Sequence, residues 1–127
     1  MNHEEATIKA FVVPNRQERY LAFLSNPKRR AKFTTELAHF KALDFTYAKI
    51  IPAVQQNAPS LAKLLTSKGA GQTCWVISED SEIDAKQMDL QAALRVTIGR
   101  GVGTIISCVP GRLAYFEDED DRYILER

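Results

Sequence analysis

The last quarter of the chain constrains its fold most. "TIISCV", "LAYFE" and "RYILE" are short runs rich in β-branched and aromatic residues, joined by the turn-forming stretches "PGR" and "DEDD". That punctuation predicts an antiparallel meander of three strands. A small sheet of this kind is stable only when something packs on its apolar face. Upstream, "TCWVIS" reads as a further buried strand. "MDLQAALRVTIG" reads as a helix with Asp89 as its cap, Leu90, Leu94 and Ile98 inward, and Gly99 just past its end.

The first half has helical spacing instead. "PNRQERYLAFLS" predicts a helix capped by Asn15, with Glu18 as the reciprocal partner and Tyr20, Leu21 and Leu24 as the inner stripe. Asn26 and Pro27 break it and open a second helix, along which Phe33, Leu37 and Phe40 recur at helical intervals. "TIKAFVV" (7–13) reads as a short strand or extended lead-in, and Asp44 to Ile51 as extended chain. Pro52 and Pro59 each open a helical turn, and Leu61, Leu64 and Leu65 mark a short amphipathic helix ended by Gly69. Helices early and strands late predict an α+β domain: a small, largely antiparallel sheet with the N-terminal helices packed on one face. Residues 1–127 are expected to form one domain, with 1–6 as a mobile terminus.

Composition narrows the function classes. A net charge of +1 argues against a general polyanion binder, so any affinity for nucleic acid must come from local clustering. The two cysteines, Cys74 and Cys108, fit neither a disulfide framework nor a zinc spacing. They suit a reducing cytoplasm, and neither a leader nor a membrane-spanning run is expected. No metal or cofactor is predicted.

"IGRGVGTIISCVPG" raises the possibility of a phosphate-binding loop. Such loops need strand, glycines, then helix, because the helix N-terminus supplies free N–H groups. Here a helix comes first and a strand last, so the loop meets the carbonyl end of the helix, which disfavours an anion. Gly99 is better read as a helix stop. Gly101 and Gly103 allow sharp turning or close backbone approach.

Two charge clusters remain. Lys28, Arg29, Arg30 and Lys32 crowd the start of a predicted helix, with Arg16 and Arg19 on the preceding one. Cations there oppose the helix dipole, which points to an anion: nucleic-acid phosphate, a phosphorylated ligand or an acidic protein surface. A solvated charged turn is the plainer alternative. No aromatic-interleaved RNA-recognition strand or G-x-x-G loop accompanies the cluster. Glu117, Asp118, Glu119, Asp120 and Asp121 line the last turn. They lack the glycine of a calcium loop and read as a solvated turn that deters edge-to-edge association. The same run is an interaction candidate. Docked on the basic cluster of another copy, it would give a salt-sensitive homo-oligomer.

Candidate catalytic groups are few. His3 falls in the terminus, and His39 lies beside the phenylalanine stripe with Glu36 three residues back. Asp84-Ala85-Lys86 matches the D-x-K pattern of metal-dependent nucleases, yet sits in a polar connector with Asp80 and Glu82. No G-x-S-x-G elbow surrounds Ser107, and the thiols read as small hydrophobes. Trp75, Tyr115, Phe116 and Tyr123 read as core, with an aromatic patch near the acidic turn as a protein-binding surface. The expectation is a non-enzymatic macromolecule-binding domain with a protein partner. An anion- or nucleic-acid-binding module at 28–32 is the alternative, and an enzyme built from His39, the Asp80–Asp84 carboxylates or a cysteine stands third.

Overall fold

The Asn2 side chain accepts the Glu5 amide at 2.7 Å and so opens the first helix, α1 (His3–Phe11). The computed structural model describes residues 2–127. Glu4 and Glu5 occupy the first turn and Lys9 the last, the order the helix dipole favours. Ala6, Thr7, Ile8, Ala10 and Phe11 are buried. Residues 2–6 therefore belong to the cap and body of a packed helix rather than a mobile terminus, and Met1 lies outside the described residues. Residues 7–11, expected to be extended, are helical because their apolar positions fall on one inward stripe; of that segment Val12 and Val13 lie outside the helices, and Val12 bridges Leu43.

The next helix, α2 (Pro14–Leu24), starts with Pro14 in its first turn, so Asn15 lies inside it rather than capping it. The third is shorter than its spacing suggests. It runs as α3 (Arg30–Thr34), then as a 3-10 turn (Thr35–His39), and Phe40 is extended. The Phe40 amide faces the Asp118 carboxylate at 3.4 Å instead of continuing the helix. Phe33, Leu37 and Phe40 stay buried, and Tyr20 and Phe33 meet edge to face at 4.9 Å. Each such side chain contributes roughly 1.5–3 kcal/mol by leaving water.

After a 3-10 turn at Phe45–Tyr47 come β1 (Ala48–Ile50), α4 (Ala58–Ser67), β2 (Thr73–Ser78) and β3 (Lys86–Asp89). They are followed by α5 (Leu90–Thr97), β4 (Thr104–Val109), β5 (Leu113–Glu117) and β6 (Arg122–Glu126). The predicted meander is present, and Asp89 caps α5 by accepting the Ala92 amide at 3.0 Å. The six strands are antiparallel in the order β1-β6-β5-β4-β2-β3. β3 takes the last two residues of the expected connector, Lys86 and Gln87, and the first two of the expected helix segment, Met88 and Asp89, and its mostly polar sequence suits an edge strand.

Alternation sorts the core into two layers. Ile77, Ile105, Phe116 and Leu125 pack with residues of α1 to α3, so the N-terminal helices do lie on one face. Val76, Ile106, Tyr115 and Ile124 pack with Leu61, Leu65, Leu90 and Leu94, so α4 and α5 cover the other. Tyr115 and Phe116 thus point to opposite faces and are both buried. Among the described residues, no helix is long and apolar enough to cross a membrane.

Candidate functional site

The glycine loop does hold an anion, and the anion is the chain's own. Glu117 is fully buried at the end of β5. Its carboxylate accepts the amides of Gly99 at 3.3 Å and Gly101 at 3.0 Å, and the Tyr115 hydroxyl at 2.7 Å. Arg122 stands 3.6 Å away. Burial, reinforced by the bond to Glu117, pushes the Tyr115 phenol well above its usual range. Gly99 and Gly101 adopt φ of +84° and +68°, which lets the loop aim both amides inward. Gly103 is where the backbone of Leu37 and Ala38 comes closest.

The acidic run is therefore divided. Glu117 is an internal anchor rather than part of a solvated turn. Asp118 is also buried and accepts the amides of Asp120 at 2.8 Å and Asp121 at 2.7 Å, which shapes the turn. Only Glu119, Asp120 and Asp121 are exposed. Glu119 and Asp120 reach the His39 ring at 3.5 and 3.3 Å. Glu36, the expected partner of His39, instead accepts the Tyr20 hydroxyl at 3.2 Å.

The basic run divides as well. Arg30 turns inward, forking onto Glu4 at 2.8 and 2.6 Å and onto Asp84 at 2.7 and 3.0 Å. The same carboxylates take the Trp75 indole N–H at 2.8 Å and the Ser78 amide at 2.9 Å. The bonds to Glu4 first, then to Asp84, hold the Arg30 guanidinium firmly charged. Arg30 ties α1, α3 and the β2–β3 connector together and leaves the candidate anion site. The carboxylate of the D-x-K pattern is neutralised in the same cluster.

Arg29 and Lys32 stay outside, with Lys28, which is exposed. With Arg19 of α2 they converge on the Phe23 ring, at 5.1, 5.9 and 5.5 Å from its centroid. These side chains line an open groove of about 800 Å³ between α2 and α3. No described carboxylate lies within ion-pair distance of Arg19, Arg29 or Lys32.

The remaining chemical groups do not converge. His3 Nδ1 lies 2.7 Å from Ser107 Oγ, a nucleophile–base distance, but Ser107 is fully buried. Asp80 pairs with Arg100 at 3.2 Å. Cys74 and Cys108 are free and buried on adjacent strands, one step beyond the Trp75–Ser107 pair, and burial pushes both thiols up to about 12. Among the described residues no three His, Cys, Asp or Glu side chains are grouped to hold a metal.

A second surface carried little signal in sequence. Ile50 is 84% exposed, Val54 83% and Phe45 58%. Ile50 lies opposite Tyr123 across β1 and β6, and Phe45 packs edge-on against Tyr123 at 5.8 Å. β1 ends the sheet, so its outer edge has no strand neighbour among the described residues. Ile50, Tyr123 and the acidic turn share a cleft of about 440 Å³. The chain matches no protein-family model, no curated protein and no solved structure.

Proposed function

We propose that this chain is a non-enzymatic binding domain that docks a partner protein on the surface formed by Phe45, Ile50, Val54 and Tyr123, beside the acidic turn. The observation that carries this reading is the exposure of Ile50, above four-fifths, at the end of β1, whose outer edge is unpaired among the described residues, with Val54 exposed to the same degree four residues on. Elsewhere among the described residues the large apolar side chains are buried or half-buried, apart from Val96. Burying the three exposed side chains contributes on the order of 1.5–3 kcal/mol each. Exposed ion pairs contribute only about 0–1 kcal/mol. Affinity then comes from the apolar anchors, while Glu119, Asp120 and Asp121 select a partner segment with basic residues next to its apolar ones. Two buried free thiols support a reducing, cytoplasmic setting.

Affinity capture from native lysate, compared between the wild type and Ile50→Asp/Val54→Asp, tests it. The expected result is a specific partner retained by the wild type and lost from the double variant. An identical set of captured proteins overturns the reading.

A further inference from the structure

We propose that the α2–α3 groove is a second, separate binding site, whose ligand is a phosphomonoester dianion. The sequence places six cations near this groove, and the fold selects among them. Arg30 is withdrawn into its carboxylate cluster, whereas Arg19, Arg29 and Lys32 gather round one phenylalanine ring.

Covering Phe23 accounts for the aliphatic stems and for a cation–π contribution of about 0.5–1 kcal/mol each. It does not account for three like charges at one spot with no described carboxylate within ion-pair distance of any of them. The one carboxylate lining the groove, Glu36, accepts the Tyr20 hydroxyl through Oε1 and offsets at most one of the three charges. Two guanidiniums and an ammonium present more donors than a carboxylate can use. A phosphomonoester offers roughly −1.5 to −2 charge and three strong acceptor oxygens at a single point.

The arrangement also separates this ligand from a nucleic-acid backbone. A polynucleotide carries one charge per phosphate along a line and is bound by spreading cations along it. Here the cations converge, Glu36 borders them, and the whole chain carries a net charge of only +1. Thr35 adds a hydroxyl to the same wall, and the short side chains of Ala22 and Ala31 leave the floor open. At about 800 Å³ the groove is several times larger than a phosphoryl group, so it also has room for the organic part of the ester.

The test is an amide NMR titration of the ¹⁵N-labelled full chain at fixed ionic strength. O-phosphoserine and adenosine 5′-monophosphate are the probes, with an oligonucleotide lacking terminal phosphates as the diester control. Shifts confined to residues 19–36, saturating at millimolar or lower concentration, are expected. Whichever monoester binds more tightly identifies the source of the phosphoryl group. Arg29→Gln/Lys32→Gln should weaken binding about tenfold or more, as loss of charged hydrogen bonds requires, while Lys63→Gln on α4 should not. No shifts with the wild-type protein, or tighter binding of the diester, overturns the proposal.

Discussion

Glu117 and Gly101 meet in the interior, with carboxylate oxygen Oε2 3.0 Å from the glycine amide nitrogen. The contact turns a loop that resembles a phosphate cradle into a structural clamp. Glu117→Gln keeps the shape but places an NH₂ group against a donor, since Gly99, Gly101 and Tyr115 all donate to this side chain. An unsatisfied buried donor costs about 1–3 kcal/mol. Urea unfolding should show that loss, and the amides of 99–101 should exchange faster. Unchanged stability would remove the clamp.

Gly103 is fixed for a different reason. A Cβ placed there would land on the Leu37 carbonyl and 2.7 Å from the Ala38 nitrogen, both backbone atoms that cannot swing aside. Gly103→Ala should cost about 3 kcal/mol, the upper range for overpacking. Gly71→Ala, where nothing lies within 4 Å, is the matched control and should change stability little. Equal midpoints for the two variants in denaturant would contradict this.

Arg30 separates stability from binding. It has carboxylates on both sides, and its side chain is only 17% exposed. Arg30→Ala leaves Glu4 and Asp84 facing one another with no cation between them, a loss of about 3–5 kcal/mol. Arg30→Lys should recover only part of it, because an ammonium restores the charge but cannot make a bidentate fork onto each carboxylate. Arg29→Gln should unfold at nearly the wild-type midpoint. Calorimetry on the three variants checks the order.

What the sequence revealed follows the range of the forces involved. The C-terminal meander and the Asp89 cap were legible because turn residues and alternation act locally. Residues 3–11 do not read as a helix locally because α1 depends on distant partners: Glu4 is held by Arg30 and Trp75, and His3 by Ser107. β3 was hidden because an edge strand needs no apolar pattern. The two charge runs were visible as candidates, but only tertiary contacts decide that Arg30 and Glu117 turn inward while Arg29 and Glu119 stay outside. Nothing local marks Ile50 as exposed and Ile51 as buried.

The cysteines should be silent in the native state. With both thiols pushed up to about 12 by burial, very little thiolate exists at pH 8, and the thiolate is the reactive form. A thiol-specific reagent should react with two groups in denaturant and with almost none in buffer. Rapid labelling of the folded protein would contradict their burial on β2 and β4.

His3 sets an acid limit whose direction follows from its burial. Desolvation lowers its pKa below 6.5, so the folded chain resists a proton that the unfolded chain accepts near that value. Stability from this group is present above pH 6.5. As pH falls through that value the unfolded state binds more protons, and the contribution is lost by the time the folded-state pKa is passed. The contact of Nδ1 with Ser107 Oγ at 2.7 Å holds the ring against the sheet, where its charged form is poorly solvated. His3→Gln, neutral throughout, should flatten the decline in the urea midpoint between pH 7.5 and pH 5.5. The carboxylates lowered by ion pairing, Glu5 and Glu126, lose their contribution only below about pH 4.5, where they begin to protonate in the unfolded chain. An identical slope in the variant and the wild type across that interval would place the acid sensitivity elsewhere.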